Sequence, residues 1–124
     1  MSAKDKVYGC PVEATLSVMG GKYKAIILWH LMDNTLRFNE LRKKQPSATP
    51  KMLTQQLREL EADGLVHREV YPVVPPKVEY SLTEEGRTLI PILKEMYAWG
   101  DAFVERMGVQ MHRPDLEKDL KKAE

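Results

Sequence analysis

The chain has little of several things that usually announce an activity. Its 124 residues hold one cysteine, Cys10, which excludes an intrachain disulfide framework and a cysteine-based zinc cluster. No apolar run exceeds about five residues, far short of the roughly 18 that a membrane helix needs, so no membrane partner is expected. Met1 to Tyr8 is charged and has no apolar h-region, so no secretory signal is expected. His30, His67 and His112 show no metal-ligand spacing among themselves or with Cys10. No nucleophile or oxyanion signature surrounds Cys10, so neither an enzyme nor a cofactor is expected. The chain is 43% hydrophobic and 30% charged, which fits a single cytoplasmic domain over residues 1–124.

The charge is nearly balanced overall, with 19 Lys+Arg against 18 Asp+Glu and a net +1. Its distribution is uneven. Arg37, Arg42, Lys43, Lys44, Lys51 and Arg58 face one acid, Glu40, between positions 37 and 58, a local +5. The segment from Arg113 to Glu124 carries four of each sign and nets zero. A phosphate backbone responds to the local charge rather than the sum. An ordinary solvated helix face is the plainer reading of such a run.

Periodicity orders the elements. Pro11 to Met19 reads as a first helix with Val12, Leu16 and Met19 on one stripe, ended by Gly20-Gly21. Lys22 to Asp33 reads as a second, apolar on more than one side, and Arg37 to Lys44 as a short third. Thr49 then caps a fourth helix with Pro50 at its first position, running to about Asp63 before Gly64. At 100° per residue, Leu53, Leu57 and Leu60 lie within about 60° of one another, and Lys51, Gln55, Arg58 and Ala62 lie opposite with Thr54 beside them. One face is a leucine seam; the other is polar, basic and free of acid. Leu65–Tyr71 and Val78–Leu82 alternate as two strands around a proline-rich tip at 72–77. Thr83 caps a long helix from about Glu84 to Met107 that Pro91 must bend or interrupt. It presents Leu89, Ile92 or Leu93, Met96, Trp99 and Phe103 at three- and four-residue steps. A last short helix is expected at Asp115–Lys122. The order predicts a mixed α+β fold, mainly α: a winged helix-turn-helix with a two-stranded wing and a long C-terminal helix. That helix is more apolar than one subunit needs to cover, which fits a dimerisation helix.

Lys51, Gln55 and Arg58, with Thr54 and the capping Thr49, are the candidate DNA-reading set. Lys and Arg donate to guanine O6/N7 and Gln pairs with adenine N6/N7 in a major groove. Lys77 at the wing, and Lys22, Lys24 and Arg37, are candidate contacts to the sugar-phosphate backbone, which set register without reading sequence. Each has a plainer alternative as an exposed charged side chain. A winged-helix module used only for protein–protein contact remains the competing function; it would not need an acid-free Lys/Gln/Arg face.

The chain resembles the HxlR-type transcriptional regulators, a bacterial winged-helix family related in fold to the MarR regulators. The resemblance rests on Cys10-Pro11-Val12, Gly20-Gly21-Lys22-Tyr23-Lys24, Arg37-Phe38-Asn39-Glu40-Leu41, the run from Lys51 to Leu60, Asp63-Gly64-Leu65-Val66, Pro75 to Thr83 with Gly86, and Trp99-Gly100. It covers about residues 10–103; residues 107–124 form an extension outside it. Tyr23 stands where the family often has Trp, and Ser47-Ala48-Thr49 where it has a Gly-Ile-Ser type turn. The resemblance implies double-stranded DNA as partner and a homodimer joined by the first and C-terminal helices. It also implies one recognition helix per subunit and regulation at promoter sites with two-fold symmetry. Several such regulators sense oxidants or electrophiles through an N-terminal cysteine, which makes Cys10 a candidate sensor. The alternative is a cysteine that packs under the first helix. With one cysteine per chain, an intersubunit disulfide, a mixed disulfide or an adduct are the available modifications. No small-molecule effector is identified by the residues.

Overall fold

The computed structural model describes residues 3–111. Two units divide the chain, one up to Leu93 and one from Lys94 onward.

In the first unit, α1 (Pro11–Met19) begins with Pro11 in its first turn, where a missing N–H leaves nothing unpaired. Only Met19 of its apolar stripe is buried; Val12 and Leu16 are exposed. Helix α2 (Lys24–His30) is shorter than its apolar pattern predicts. Lys22 and Tyr23 belong to the turn that precedes it, and Leu31 caps its end. Tyr23, Ile27, Leu28 and Leu31 are all buried. A two-residue strand, β1 (Leu36–Arg37), leads into α3 (Phe38–Lys44). Glu40 reaches back to accept a hydrogen bond of 2.9 Å from the Arg37 backbone N–H, satisfying one of the donors that a helix start leaves unpaired.

Helix α4 (Pro50–Ala62) follows the expected limits closely. The Thr49 hydroxyl accepts the Met52 N–H at 3.1 Å, and Gly64 takes the positive φ of 77° that ends the helix. Leu53, Leu57 and Leu60 are each at most 1% exposed and form the centre of the core with Ile27, Leu28, Leu31 and Leu41. Strands β2 (Val66–Tyr71) and β3 (Lys77–Leu82) pair antiparallel, from Val66 opposite Leu82 to Tyr71 opposite Lys77. β1 joins the other edge of β3, giving the order β1-β3-β2. A two-residue strand carries too little alternation to be read from sequence, and the sheet is therefore three-stranded where a bare hairpin was expected.

The expected single helix from Glu84 to Met107 is two helices, α5 (Glu84–Arg87) and α6 (Ile90–Met107). Pro91 accounts for the break. It sits at the second position of α6, where no intrahelical donor is required, and its ring would clash with a continuous helix behind it. Gly86 in α5 is pressed against the chain just after α4: a Cβ there would lie 2.1 Å from the Leu65 carbonyl oxygen. Thr83 completes this clamp, its N–H donating to the Leu65 carbonyl and its hydroxyl to that of Gly64.

The second unit is the remainder of α6. Trp99 and Phe103 stack one turn apart, with ring centroids 5.1 Å from each other and planes 12° apart. Met96, Tyr97, Trp99, Phe103 and Met107 are all exposed. No helix of the described residues is long and apolar enough to cross a membrane. The helix expected at Asp115–Lys122, like His112, lies outside the described residues.

Candidate nucleic-acid interface

Helix α4 turns its leucines inward, so the opposite face is presented by default. Lys51, Gln55 and Arg58 are exposed and Thr54 is half-buried beside them. All four line one open groove of about 570 Å³, with Phe38 of α3 as its apolar wall and Glu59 at one border. The hydrophobic pattern of one helix thus gathers Lys51, Thr54, Gln55 and Arg58 on one groove. Thr49 does not line the groove; it caps the helix, its hydroxyl accepting the Met52 N–H.

The turn that delivers α4 is braced from the core. Gln45 Nε2 donates to Ser47 Oγ at 2.7 Å, and the Tyr23 hydroxyl donates to the Ser47 carbonyl at 3.0 Å. Tyr23, only 3% exposed, therefore links α2 to the approach of α4. The residue where the family often has Trp keeps a polar handle on this turn. That link was not legible in the sequence, because the partner is a backbone carbonyl 24 residues away.

The candidate backbone contacts divide. Lys22 and Arg37 are exposed, with Lys22 Nζ 5.5 Å from the centre of the Tyr23 ring. Lys77 begins β3 where the strands meet the tip of the wing, opposite Tyr71; its ammonium meets Glu79 at 2.9 Å and lies 4.9 Å over the Tyr71 ring. The tip beyond it presents Val73 and Val74, both exposed. Lys24 departs from the expectation. It is a largely buried residue whose ammonium contacts Glu59 at 3.2 Å and lines an opening of about 240 Å³ with Lys6 and Arg58, apart from the groove of Lys51 and Gln55. A signal for this exists in the sequence. Lys24 precedes Ile27, Leu28 and Leu31 by three, four and seven residues, which puts it on the core stripe of α2. Asn39, Arg42, Lys43, Pro46 and Ala48 line a further opening of about 400 Å³. The basic end of α3 contributes Arg42 and Lys43 to it.

Cys10 is exposed and stands immediately before α1 in extended backbone. Among the described residues no group of three or more His, Cys, Asp or Glu side chains could hold a metal ion.

The chain is similar to known transcriptional regulators. The chain is 58% identical over 105 residues to the HTH-type transcriptional regulator YdeP of Bacillus subtilis (strain 168), covering 85% of this chain and 82% of YdeP. It is 61% identical over 106 residues to the HTH-type transcriptional regulator YybR of the same organism, with coverage of 82% and 85%. Among solved structures, the redox regulator HypR in its reduced form superposes with a TM-score of 0.77 at 58% identity, over 82% of this chain and all of HypR. Its oxidised form gives 0.73 at 64% identity, over 75% of this chain and 96% of HypR. The model of the HxlR-like helix-turn-helix family matches residues 18–108. With its leucine-seamed helix, its wing and these relatives, the chain belongs to the HxlR-like helix-turn-helix family of transcriptional regulators.

Proposed function

We propose that the protein binds double-stranded DNA as a homodimer, at sites with two-fold symmetry, and that modification of Cys10 alters that binding. The observation that carries the first part is the groove on α4. Lys51, Thr54, Gln55 and Arg58 share it, and the leucine seam behind them leaves that face no other packing role. In this reading α4 enters a major groove, Lys51 and Arg58 reach guanine edges or phosphates and Gln55 reaches adenine, while Lys22, Arg37 and Lys77 touch the backbone. The protein works where chromosomal promoters are, in the cytoplasm.

The homodimer reading is supported by apolar side chains left uncovered within one chain. On α6 these are Met96, Trp99, Phe103 and Met107; on α1 they are Val12 and Leu16. Aromatics and Met are enriched in the cores of such interfaces. Covering Trp99 or Phe103 contributes about 1.5–3 kcal/mol each.

Cys10 is exposed next to Val12, and the similar regulator HypR is described in oxidised and reduced forms. A Cys10–Cys10 bond between subunits, formed as two thiols give two electrons and two protons to an oxidant such as diamide, would constrain α1 of each subunit. Two half-sites are read at a fixed separation, so a small rotation of one subunit misplaces its α4.

The test is a binding titration of wild type and of Lys51→Met/Arg58→Met, each before and after diamide. The double variant is expected to lose specific binding while remaining folded. Diamide is expected to change wild-type affinity and to leave Cys10→Ser unchanged. Normal binding by the double variant contradicts the DNA-reading assignment; an equal response of wild type and Cys10→Ser contradicts the sensor assignment.

A further inference from the structure

Lys24 is the buried charged residue among the described residues, and its burial requires a partner because an unpaired ammonium in the interior is costly. The partner is Glu59, with Nζ and Oε2 3.2 Å apart and side chains 11% and 44% exposed. The same carboxylate oxygen accepts from Gln56 Nε2 at 3.2 Å, while Gln56 Oε1 is buried with no hydrogen-bond partner. The Gln56 amide is thus oriented by Glu59 rather than by its own carbonyl. Glu59 has a second neighbourhood. Its side chain borders the groove of Lys51, Gln55 and Arg58, the face otherwise free of acid. DNA presents a negative charge about every 1.7 Å of its axis, so a bare carboxylate at that border opposes binding. The Lys24 ammonium meets this carboxylate from a separate opening of about 240 Å³, which Lys6, Arg58 and Asp63 also line, and so removes the opposition without occupying the groove.

We propose that Lys24 is a positioning residue for DNA binding that acts through Glu59, holding and neutralising its carboxylate from outside the groove so that the groove offers Lys51 and Arg58 uncontested. The proposal rests on the DNA-binding reading above. It replaces a direct phosphate contact by Lys24, which its burial disfavours, with an indirect one. It also explains why a helix face selected for phosphate tolerates Glu at position 59.

The experiment is a set of binding titrations over a range of salt with Lys24→Gln, Glu59→Gln and the double variant. The probe is a duplex selected by the wild-type protein from a randomised library, and thermal melts confirm that each variant is folded. Lys24→Gln is expected to bind about tenfold more weakly, equivalent to about 1.4 kcal/mol, with the deficit shrinking as salt rises. Adding Glu59→Gln is expected to restore affinity and salt slope to wild-type values. Glu59→Gln alone is expected to bind at least as tightly as wild type, and this arm decides the matter if Lys24→Gln does not fold. If the double variant stays as weak as Lys24→Gln, with a slope lowered by about 0.9 per subunit, Lys24 touches phosphate itself and the proposal is overturned. A deficit independent of salt also overturns it, because that marks a purely structural loss. Absence of binding by the wild type overturns the DNA reading and this proposal together, whereas an unrescued double variant overturns this proposal alone.

Discussion

Replacing Tyr23 by Phe removes one oxygen and leaves the ring in place. The ring is 3% exposed and packs with the core, so its burial is conserved. What is lost is the 3.0 Å hydrogen bond to the Ser47 carbonyl. A hydrogen bond of this kind contributes about 1 kcal/mol net, and up to about 3 kcal/mol when the acceptor is left buried and unsatisfied. Ser47 is itself exposed, so water can reach its carbonyl and the lower figure applies. The expected destabilisation is about 1 kcal/mol, a fall in Tm of roughly 4–8 °C for a unit of this size. Tyr23→Ala, which also empties the ring's volume, is expected to cost about 3–5 kcal/mol. Ser47 lies two residues before the Thr49 cap, so Tyr23→Phe also loosens the approach to α4 and is expected to weaken DNA binding about threefold, equivalent to about 0.6 kcal/mol. Denaturant unfolding followed by circular dichroism, alongside binding titration, measures both. Wild-type stability and wild-type affinity for Tyr23→Phe together would refute the claim that this hydroxyl braces the turn.

Other substitutions probe other parts of the account. Gly86→Ala puts a methyl group 2.1 Å from the Leu65 carbonyl oxygen and is expected to destabilise by about 1–3 kcal/mol despite alanine's better helix propensity; a thermal melt checks it, and a neutral result contradicts the close approach of α5. Lys77→Ala is expected to weaken binding to all sequences alike, by less than tenfold, because Glu79 and Tyr71 already engage its ammonium. The salt dependence of the affinity should flatten by no more than about 0.9 per subunit. Trp99→Lys is expected to shift sedimentation at micromolar concentration from dimer to monomer while the circular dichroism spectrum stays helical. A dimer that survives both Trp99→Lys and Phe103→Lys places the interface elsewhere.

Strong local grammar was legible in the sequence. Thr49-Pro50 and Gly64 bracketed α4 almost to the residue, because a cap, a proline and a glycine each act through the backbone of their own neighbours. The opposition of leucines to Lys51, Gln55 and Arg58 was equally visible, since it is a property of helix geometry alone. Pro91 signalled an interruption but not that α5 would be only four residues long; that length depends on the clamp of Thr83 and Gly86 onto Gly64 and Leu65. β1 escaped because two residues have no period, and it exists only through pairing with Glu79 and Tyr80 on β3. Lys24 lies on the stripe of Ile27, Leu28 and Leu31, a position that its charge obscures in the sequence. The Lys24–Glu59 pair and the Tyr23–Ser47 bond join residues far apart in the chain, and such contacts leave no local pattern to read.

The central claim is that the face of α4 opposite its leucine seam reads DNA, two copies at a time. Footprinting of the purified protein on genomic DNA, with Lys51→Met/Arg58→Met run in parallel, tests it most directly. The account predicts protected inverted repeats whose half-site centres lie about one helical turn apart, roughly 34–36 Å, or a whole number of turns, and no protection by the double variant. Protection of asymmetric sites, or footprints unchanged in the double variant, would contradict it.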